Sequence, residues 1–376
     1  MDQNSILEIL ADKLKTKIPS SVHAVIGFDG FVDDVVHVVK KRIDKNNYIR
    51  ELTLKDYGER IAASSGLSTN VEIVTLSKKL GGNGTILANA LIELGVKMSY
   101  IGAVGYPDIN PVYYEMTSRC ENVFPVCNPS STDAMEFEDG KIIRTKLSAF
   151  QELTFDAIKE RVGLDVLAKL LDESTLIGFE NWALPPYSGQ IWRGILDEVM
   201  PLLKKSTAGK ILFFDIADPC MRQEQEFRDV MNTIESFSNY YHVILGLNLC
   251  EAVQVADLFG GSFDYSETDL EALARYIARH IDIGTLVIHP LKEACCLKGD
   301  EFFIQKGPYC EKPKLTTGAG DNFNSGFVLG EILGLEPAES LLLGMASSGF
   351  YVRNGRSAHY EELIEFLILW SKGALE

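Results

Sequence analysis

A chain of 376 residues has room for one large or two modest domains around a sizeable core. Its hydrophobic content of 46% and a mean hydropathy near zero suit a soluble globular protein, and no apolar stretch is long enough to span a bilayer. A formal net charge of −17 argues against nucleic-acid and anionic-membrane partners, while a local ring of N–H donors with Mg2+ still admits phosphorylated ligands.

In chain order, the opening Asp2-Gln3-Asn4-Ser5 lacks a basic and an apolar region, so no signal peptide is expected and the protein reads as cytoplasmic. A first strand is predicted over Val22–Phe28, running into Asp29, Asp33 and Asp34. Carboxylates at a strand's C-terminal end sit where open α/β sheets bind ligands. These three suit pairs of sugar hydroxyls, a divalent metal, or a merely solvated acidic turn. Residues 40–70 are polar and helix-leaning and read as an insertion. A strand over Glu72–Leu76 then leads to Gly81-Gly82-Asn83-Gly84, which opens a helix over Gly84–Leu94 with Gly95 as its C-cap. Three glycines in four residues let a ligand approach the backbone, and Asn83 can both donate and accept. The same run also suits a tight loop without a ligand. After a strand over Met98–Val104, residues 134–146 alternate around Asp139-Gly140, the signature of a hairpin. Such a half-polar hairpin predicts a small antiparallel flap on one edge of an α/β domain.

The second half alternates strongly. Strands are predicted over Thr175–Phe179, Lys210–Ile216, His242–Leu247, Thr285–His289 and Ala294–Leu297. Helices are predicted over Pro186–Lys204, Glu226–Ser236, Cys250–Phe259, Thr268–His280, Asp321–Leu333, Pro337–Arg353 and Tyr360–Ser371. The strands are continuously apolar, the pattern of a mostly parallel sheet covered on both faces. At the start of the helix from Cys250, Asn248 and Glu251 share one face. They suit Mg2+ held through water, or a capping box, which has almost the same spacing. Further on, the turn Gly318-Ala319-Gly320 opens a helix, so free N–H groups and the helix dipole converge on a site for an anion. Asp321 in that first turn is placed to take a proton from whatever attacks the anion, although such a turn alone is also an ordinary loop. The seven cysteines include no C-x-x-C pair, and Cys250, Cys295 and Cys296 lie in apolar runs, so buried thiols in a reducing cytosol are expected. No repeat or linker divides the chain, so residues 1–376 read as a single domain.

Taken in order, Gly81-Gly82-Asn83-Gly84, Asn248-x-x-Glu251, the run from Thr316 to Asp321 and the tail from Met345 to Gly355 resemble the ribokinase-like (PfkB) carbohydrate kinase family. The likeness runs from about Ala24 to Leu367. It implies a Rossmann-like ribokinase fold with a mostly parallel central sheet flanked by helices. A small β lid would be built from about 29–40 and 130–150, with a helical insertion over about 40–70. It further implies transfer of a phosphoryl group from ATP, with Mg2+, to a primary hydroxyl of a small sugar. By the resemblance Asp321 is the general base, and the N–H groups of Gly318, Ala319 and Gly320 form the anion hole. Asp33 first and Asp29 second, with Gly81, Gly82 and Asn83, would hold the sugar. Asn248, Thr316, Thr317, Lys292 and Gly320 would meet the nucleotide, and Asn248 and Glu251 would hold Mg2+ through water. A homodimer through the lid is among the assemblies it implies.

Departures from the family pattern sharpen these expectations. Leu315 stands where relatives carry an Asp that helps bind a monovalent cation, which puts potassium activation in doubt. His289-Pro290 replaces the Thr and Gly that normally flank nucleotide phosphates, and Pro290 lacks an N–H; Lys292 is the residue able to restore charge. Ile86 replaces a sugar-contacting Asn. Two other functions stay open: a nucleoside kinase of the same fold, with Phe31, Tyr48 or Tyr57 forming a base pocket, and a non-catalytic sugar- or nucleotide-binding protein. A dinucleotide-dependent dehydrogenase is disfavoured, because no G-x-G-x-x-G follows the first strand.

Overall fold

The computed structural model describes residues 2–375, whose strands fall into two sheets. In chain order the strands are β1 (His23–Phe28), β2 (Phe31–Arg42), β3 (Tyr48–Arg50), β4 (Ile73–Gly81), β5 (Lys97–Gly102), β6 (Asn122–Pro125), β7 (Ser130–Phe137) and β8 (Gly140–Lys146). They continue with β9 (Leu176–Phe179), β10 (Ile211–Asp215), β11 (His242–Leu247), β12 (Thr285–Ile288), β13 (Glu293–Lys298) and β14 (Glu301–Lys306). The main sheet has the order β14-β13-β12-β11-β10-β9-β1-β5-β6. From β12 to β6 every pairing is parallel, and β13 and β14 close one edge as an antiparallel hairpin.

The apolar runs do bury both faces. Along β10, Leu212 and Phe214 join one core while Ile211 and Phe213 join the other, and β11 splits Val243 and Leu245 from Ile244 in the same way. Alternation of side chains along a strand feeds two cores at once, so every residue must be apolar. The helices Asn83–Glu93, Ala319–Ile332, Pro337–Asn354 and Tyr360–Ser371 cover one face. The helices Leu164–Glu173, Glu224–Ser236, Leu249–Leu258 and Leu270–Ala278 cover the other. This is the α/β architecture expected. No helix among the described residues is long and apolar enough to cross a membrane.

The second sheet is built on β2, which runs parallel to β7 and antiparallel to β4 and, further along, to β3. β8 extends it as the hairpin partner of β7. The helix Leu54–Ala62 covers one side of it, with Tyr57 stacked on Phe137 at 5.5 Å. Only Asp29 and Gly30 separate β1 from β2, and only Gly82 separates β4 from the helix Asn83–Glu93.

Several local expectations are corrected. The strand from Glu72 runs on to Gly81 and belongs to the second sheet. The acidic run is no turn: Asp33 and Asp34 lie within β2, where valines on both sides supply β propensity. The helix expected over Pro186–Lys204 is regular only over Ser188–Gly194, then widens to a π turn at Ile195–Val199 and tightens at Met200–Leu202, where Pro201 has no N–H to continue it. Cys295 and Cys296 are buried as expected, but Cys250 is exposed in the first turn of its helix. Phe31, Tyr48 and Tyr57 are engaged separately: Phe31 packs on Phe150, Tyr57 on Phe137, and Tyr48 bonds His37.

Candidate active site

The strand order reverses at β1, which lies between β5 and β9. Ligands bind in open α/β sheets beyond the C-terminal ends of strands at such a switch point. Here each of four neighbouring strands ends on a polar residue: Asp29 after β1, Glu180 after β9, Asp215 at the end of β10 and Asn248 after β11. Asp321, from the first turn of the helix Ala319–Ile332, comes down among them. Glu180, Asp215 and Asp321 each turn an oxygen to within 4.8 Å of the other two.

Three carboxylates this close, all nearly buried, cannot all carry charge unaided. Burial first, then Asp215 and Asp321, pushes Glu180 well above the ordinary carboxylate range. Burial first, then Asp215, does the same to Asp321. Asp215 is pushed up to about 6 by burial, although it accepts from the Ala217 N–H at 2.8 Å and from Asn324 Nδ2 at 3.2 Å. Glu180 differs in kind: it is 1% exposed and neither of its oxygens has a hydrogen-bond partner among the described residues. A buried acceptor pair without donors is costly unless a ligand supplies them.

The sequence-predicted acids divide. Asp29 is fully buried and its carboxylate accepts from the Asn83 N–H at 3.0 Å, the Gly84 N–H at 2.9 Å and Asn181 Nδ2 at 2.7 Å. It pins the Gly82-Asn83-Gly84 turn to the end of β1, and burial pushes it up to about 6. Asp33 is half-buried, accepts from Thr132 Oγ1 at 2.7 Å, and lies so close to Gly81 that a Cβ there would fall 2.2 Å from its carboxylate. Burial raises it too. Asp34 points to the opposite face of β2 and pairs with Lys78 at 2.9 Å. Asn83 reaches Asp215 at 3.5 Å, which ties the glycine turn to the acidic floor.

The turn above Asp321 has the form that an anion site needs. Gly318 is left-handed at φ 89°, and a Cβ there would meet the Tyr351 hydroxyl at 2.9 Å. The Ala319 N–H donates to the Thr316 carbonyl at 3.1 Å and the Asn322 N–H to the Gly318 carbonyl at 3.0 Å. Ala319 is therefore engaged within the turn, whereas no backbone carbonyl among the described residues accepts from Gly320. Thr317 is held from two sides: Tyr351 Oη donates to its carbonyl at 2.7 Å, and Lys141 Nζ of β8 donates to its Oγ1. Ile86 lies beside Gly318 rather than in the acidic floor.

Asn248 and Glu251 realise the capping box. Asn248 Oδ1 accepts from the Glu251 N–H at 2.9 Å, and Glu251 Oε2 accepts from the Asn248 N–H at 2.8 Å. One oxygen of Glu251 and the Asn248 amide group remain for a ligand. Burial, then Asp215, pushes Glu251 up to about 8. Beside this pair opens a cavity of about 540 Å3, lined by polar Asn248, Thr316 and Gly320 and by apolar Pro290, Tyr309 and Met345. His289 lines it as well; its ring lies 4.8 Å from Phe323, its Nε2 has no partner among the described residues, and burial pushes it down to about 4. Lys292 is exposed, with its ammonium 5.1 Å from the centroid of the Tyr309 ring. Leu315 is half-buried and lies between the cavity-lining residues Pro313 and Thr316.

Three residues of the site escaped the sequence reading: Glu180, Asp215 and Lys141. The first two carried a legible signal, since each follows directly on a buried aromatic strand end, Phe179 and Phe214. Lys141 carried none, because only the pairing of β7 with β8 brings it to Thr317.

A model of the prokaryotic ketohexokinases matches residues 5–369. The chain is similar to the ketohexokinase of Haloferax volcanii, 29% identical over 361 residues that cover 95% of this chain and 94% of that protein. Among solved structures, ribokinase from Thermotoga maritima superposes with a TM-score of 0.62 at 16% identity, covering 92% of this chain and 99% of that one. A protein described as a ribokinase II from E. coli, solved with ATP and Mg2+, also gives a TM-score of 0.62, at 12% identity over 92% of this chain and 98% of that one. The fold is the ribokinase fold.

Proposed function

The chain belongs to the prokaryotic ketohexokinase family, and on that premise we propose that it moves the γ-phosphoryl group of ATP onto a primary hydroxyl of a ketohexose. That it is a carbohydrate kinase follows from the family and from the relative in Haloferax volcanii. The observation that carries the finer reading is the meeting of three things at one turn. Gly320 offers an unpaired N–H toward the cavity, Asp321 follows it in the chain, and Glu180 waits beneath with two unpartnered oxygens.

In this reading the sugar lies over the acidic floor, its hydroxyls donating to Glu180 and Asp33 and meeting Asn83. The five-stranded second sheet is the lid above it. Asp321 takes the proton of the attacking hydroxyl as the oxygen–phosphorus bond forms and the bond to the leaving ADP breaks. A carboxyl whose pKa is raised by burial is the stronger base once its proton is gone. The N–H groups of Gly320 and Gly318 face the charge that develops on the phosphoryl oxygens. The cavity beside Asn248 takes the nucleotide, with Tyr309 and Met345 against the base and Thr316 toward the phosphates. Glu251 and Asp215, buried together, fit a cation better than they fit each other, which supports Mg2+ at Asn248 and Glu251 through water. Mg2+, when bound, neutralises phosphate charge. The ATP and Mg2+ of the E. coli neighbour support the same choice of donor.

The test is a panel of ketohexoses, aldoses and nucleosides with Mg-ATP, assayed for ADP release. Turnover should be highest with a ketohexose, and nucleoside turnover instead would favour the nucleoside kinase reading. Asp321→Asn should lose roughly 100- to 10,000-fold in kcat while calorimetry shows sugar binding retained. Undiminished turnover in that variant would remove Asp321 from the role of base.

A further inference from the structure

The floor of the site is strongly one-sided in charge. Asp29, Glu180, Asp215, Glu251 and Asp321 converge there, and among the described residues no Lys or Arg hydrogen-bonds to any of the five. A reaction that spreads negative charge over three phosphoryl oxygens needs a counter-charge near the anion hole. Among the described residues, Lys141 brings an ammonium to the turn that precedes Gly318, and it comes from the other sheet.

We propose that Lys141 is a catalytic residue of this kinase: carried by the β7–β8 hairpin to the anion-hole turn, its ammonium contacts the phosphoryl group in transfer. Three observations carry this. First, Nζ donates to Thr317 Oγ1, on the residue that precedes Gly318. An ammonium has three N–H donors, so with one on Thr317 two stay available beside the Gly318–Gly320 donors. Second, Lys141 belongs to the sheet that carries Asp33, since β8 pairs with β7 and β7 with β2, so one sheet reaches both the sugar side and the anion-hole turn. Third, the hairpin tip that carries it is fixed. The Leu54 N–H donates to Asp139 Oδ1 at 2.7 Å, and Phe137 stacks on Tyr57. Thr317 is fixed as well, through the Tyr351 hydroxyl. A lysine presented by a braced hairpin to a braced turn is positioned before the substrate arrives, which is what electrostatic stabilisation requires.

A structural alternative is that Lys141 only latches the second sheet to the turn. The two roles differ in what they change. A latch alters the affinity for sugar, whereas a phosphoryl contact alters kcat.

The inference rests on the proposed phosphoryl transfer, and the experiment separates the two. With Mg-ATP and the best ketohexose, Lys141→Met should lose about 100-fold in kcat with the sugar KM changed by less than about threefold. Lys141→Arg, which keeps the charge, should recover part of the loss. Methylammonium added to Lys141→Ala should restore turnover in proportion to its concentration. A complex of ADP, aluminium fluoride and sugar, which mimics the flat phosphoryl group, should weaken by the same factor as kcat. An active wild type beside an equally active Lys141→Met would sink the inference alone, as would a rise in KM with kcat unchanged. A wild type that releases no ADP with any sugar would sink the proposed function and this inference with it.

Discussion

Replacing Glu180 by Gln offers the most direct physical probe of the acidic floor. The side chain is 1% exposed, its oxygens have no partner among the described residues, and burial together with Asp215, Asp321 and Asp29 raises its pKa well above the ordinary 4.5. A carboxyl raised in the folded state contributes stability that is fully present below its unfolded pKa and is lost as pH climbs toward the folded one. While it stays protonated in the fold, the loss is about 1.4 kcal/mol per pH unit. Unfolding 376 residues releases about 0.8 kcal/mol per kelvin at the midpoint, so that loss amounts to roughly 2 °C of melting temperature per pH unit. Gln has the same shape, does not titrate, and brings an amide that can donate to Asp215 or Asp321. The melting temperature of Glu180→Gln minus that of the wild type should therefore widen as pH rises above 5, by about 2 °C per unit for as long as the folded carboxyl stays protonated, read by calorimetry without ligands. The same variant should bind sugar less tightly at pH values where the wild-type carboxyl is ionised, since a carboxylate offers two acceptor oxygens and the amide one. A difference in melting temperature that is flat or shrinking with pH would refute the claim that this carboxyl is buried, unpaired and raised.

Two further outcomes follow from the same geometry. The acid limb of kcat/KM should lie above the ordinary carboxylate pKa of about 3.9, because burial and Asp215 raise Asp321 and only its deprotonated form accepts the proton. Asp215→Asn removes the largest of the neighbouring charges and should slide that limb to lower pH; a limb that stays in place would exclude Asp321 as the group observed. At fixed ionic strength, replacing Na+ by K+ should leave kcat nearly unchanged, because Leu315 offers no ligand to a monovalent cation, and a several-fold potassium stimulation would contradict this.

Much of the architecture was legible because burial on two faces leaves a plain trace. Runs such as Ile211-Leu212-Phe213-Phe214 admit only a strand that serves two cores, and the main sheet was readable from them. The second sheet was harder. β2 carries Asp33 and Asp34 among its valines, so its polarity resembled a turn, and its partners β4 and β7 come from distant segments. Gly318 and Asp321 were legible because a glycine turn has local chemistry, but the engagement of the Ala319 N–H by Thr316 was not, since it depends on the backbone geometry of the turn. Asp29 reads in sequence as one of three similar acids. Only the fold shows that its carboxylate is occupied by Asn83, Gly84 and Asn181, while Asp33 keeps its place beside Gly81.

The two short connections beside Asp29 have a mechanical consequence. Chain leaves the second sheet at Asp29-Gly30 and at Gly82, as it also does over residues 126–129 and after Lys146, and the first two connections meet at the Asp29 carboxylate, which accepts from the N–H groups of Asn83 and Gly84. Two of these connections thus share one anchor, which ties the second sheet to the end of β1 beside the proposed sugar site. Swinging the second sheet about it would move Asp33 on a lever arm of roughly 10 Å, at about 3.3 Å per strand residue, and Lys141 further still. Glu180, Asp215 and Asp321 lie on the stationary side. With Lys141 held on Thr317 at its far end, the second sheet is tied at both ends, so the charges above and the acids below keep one spacing.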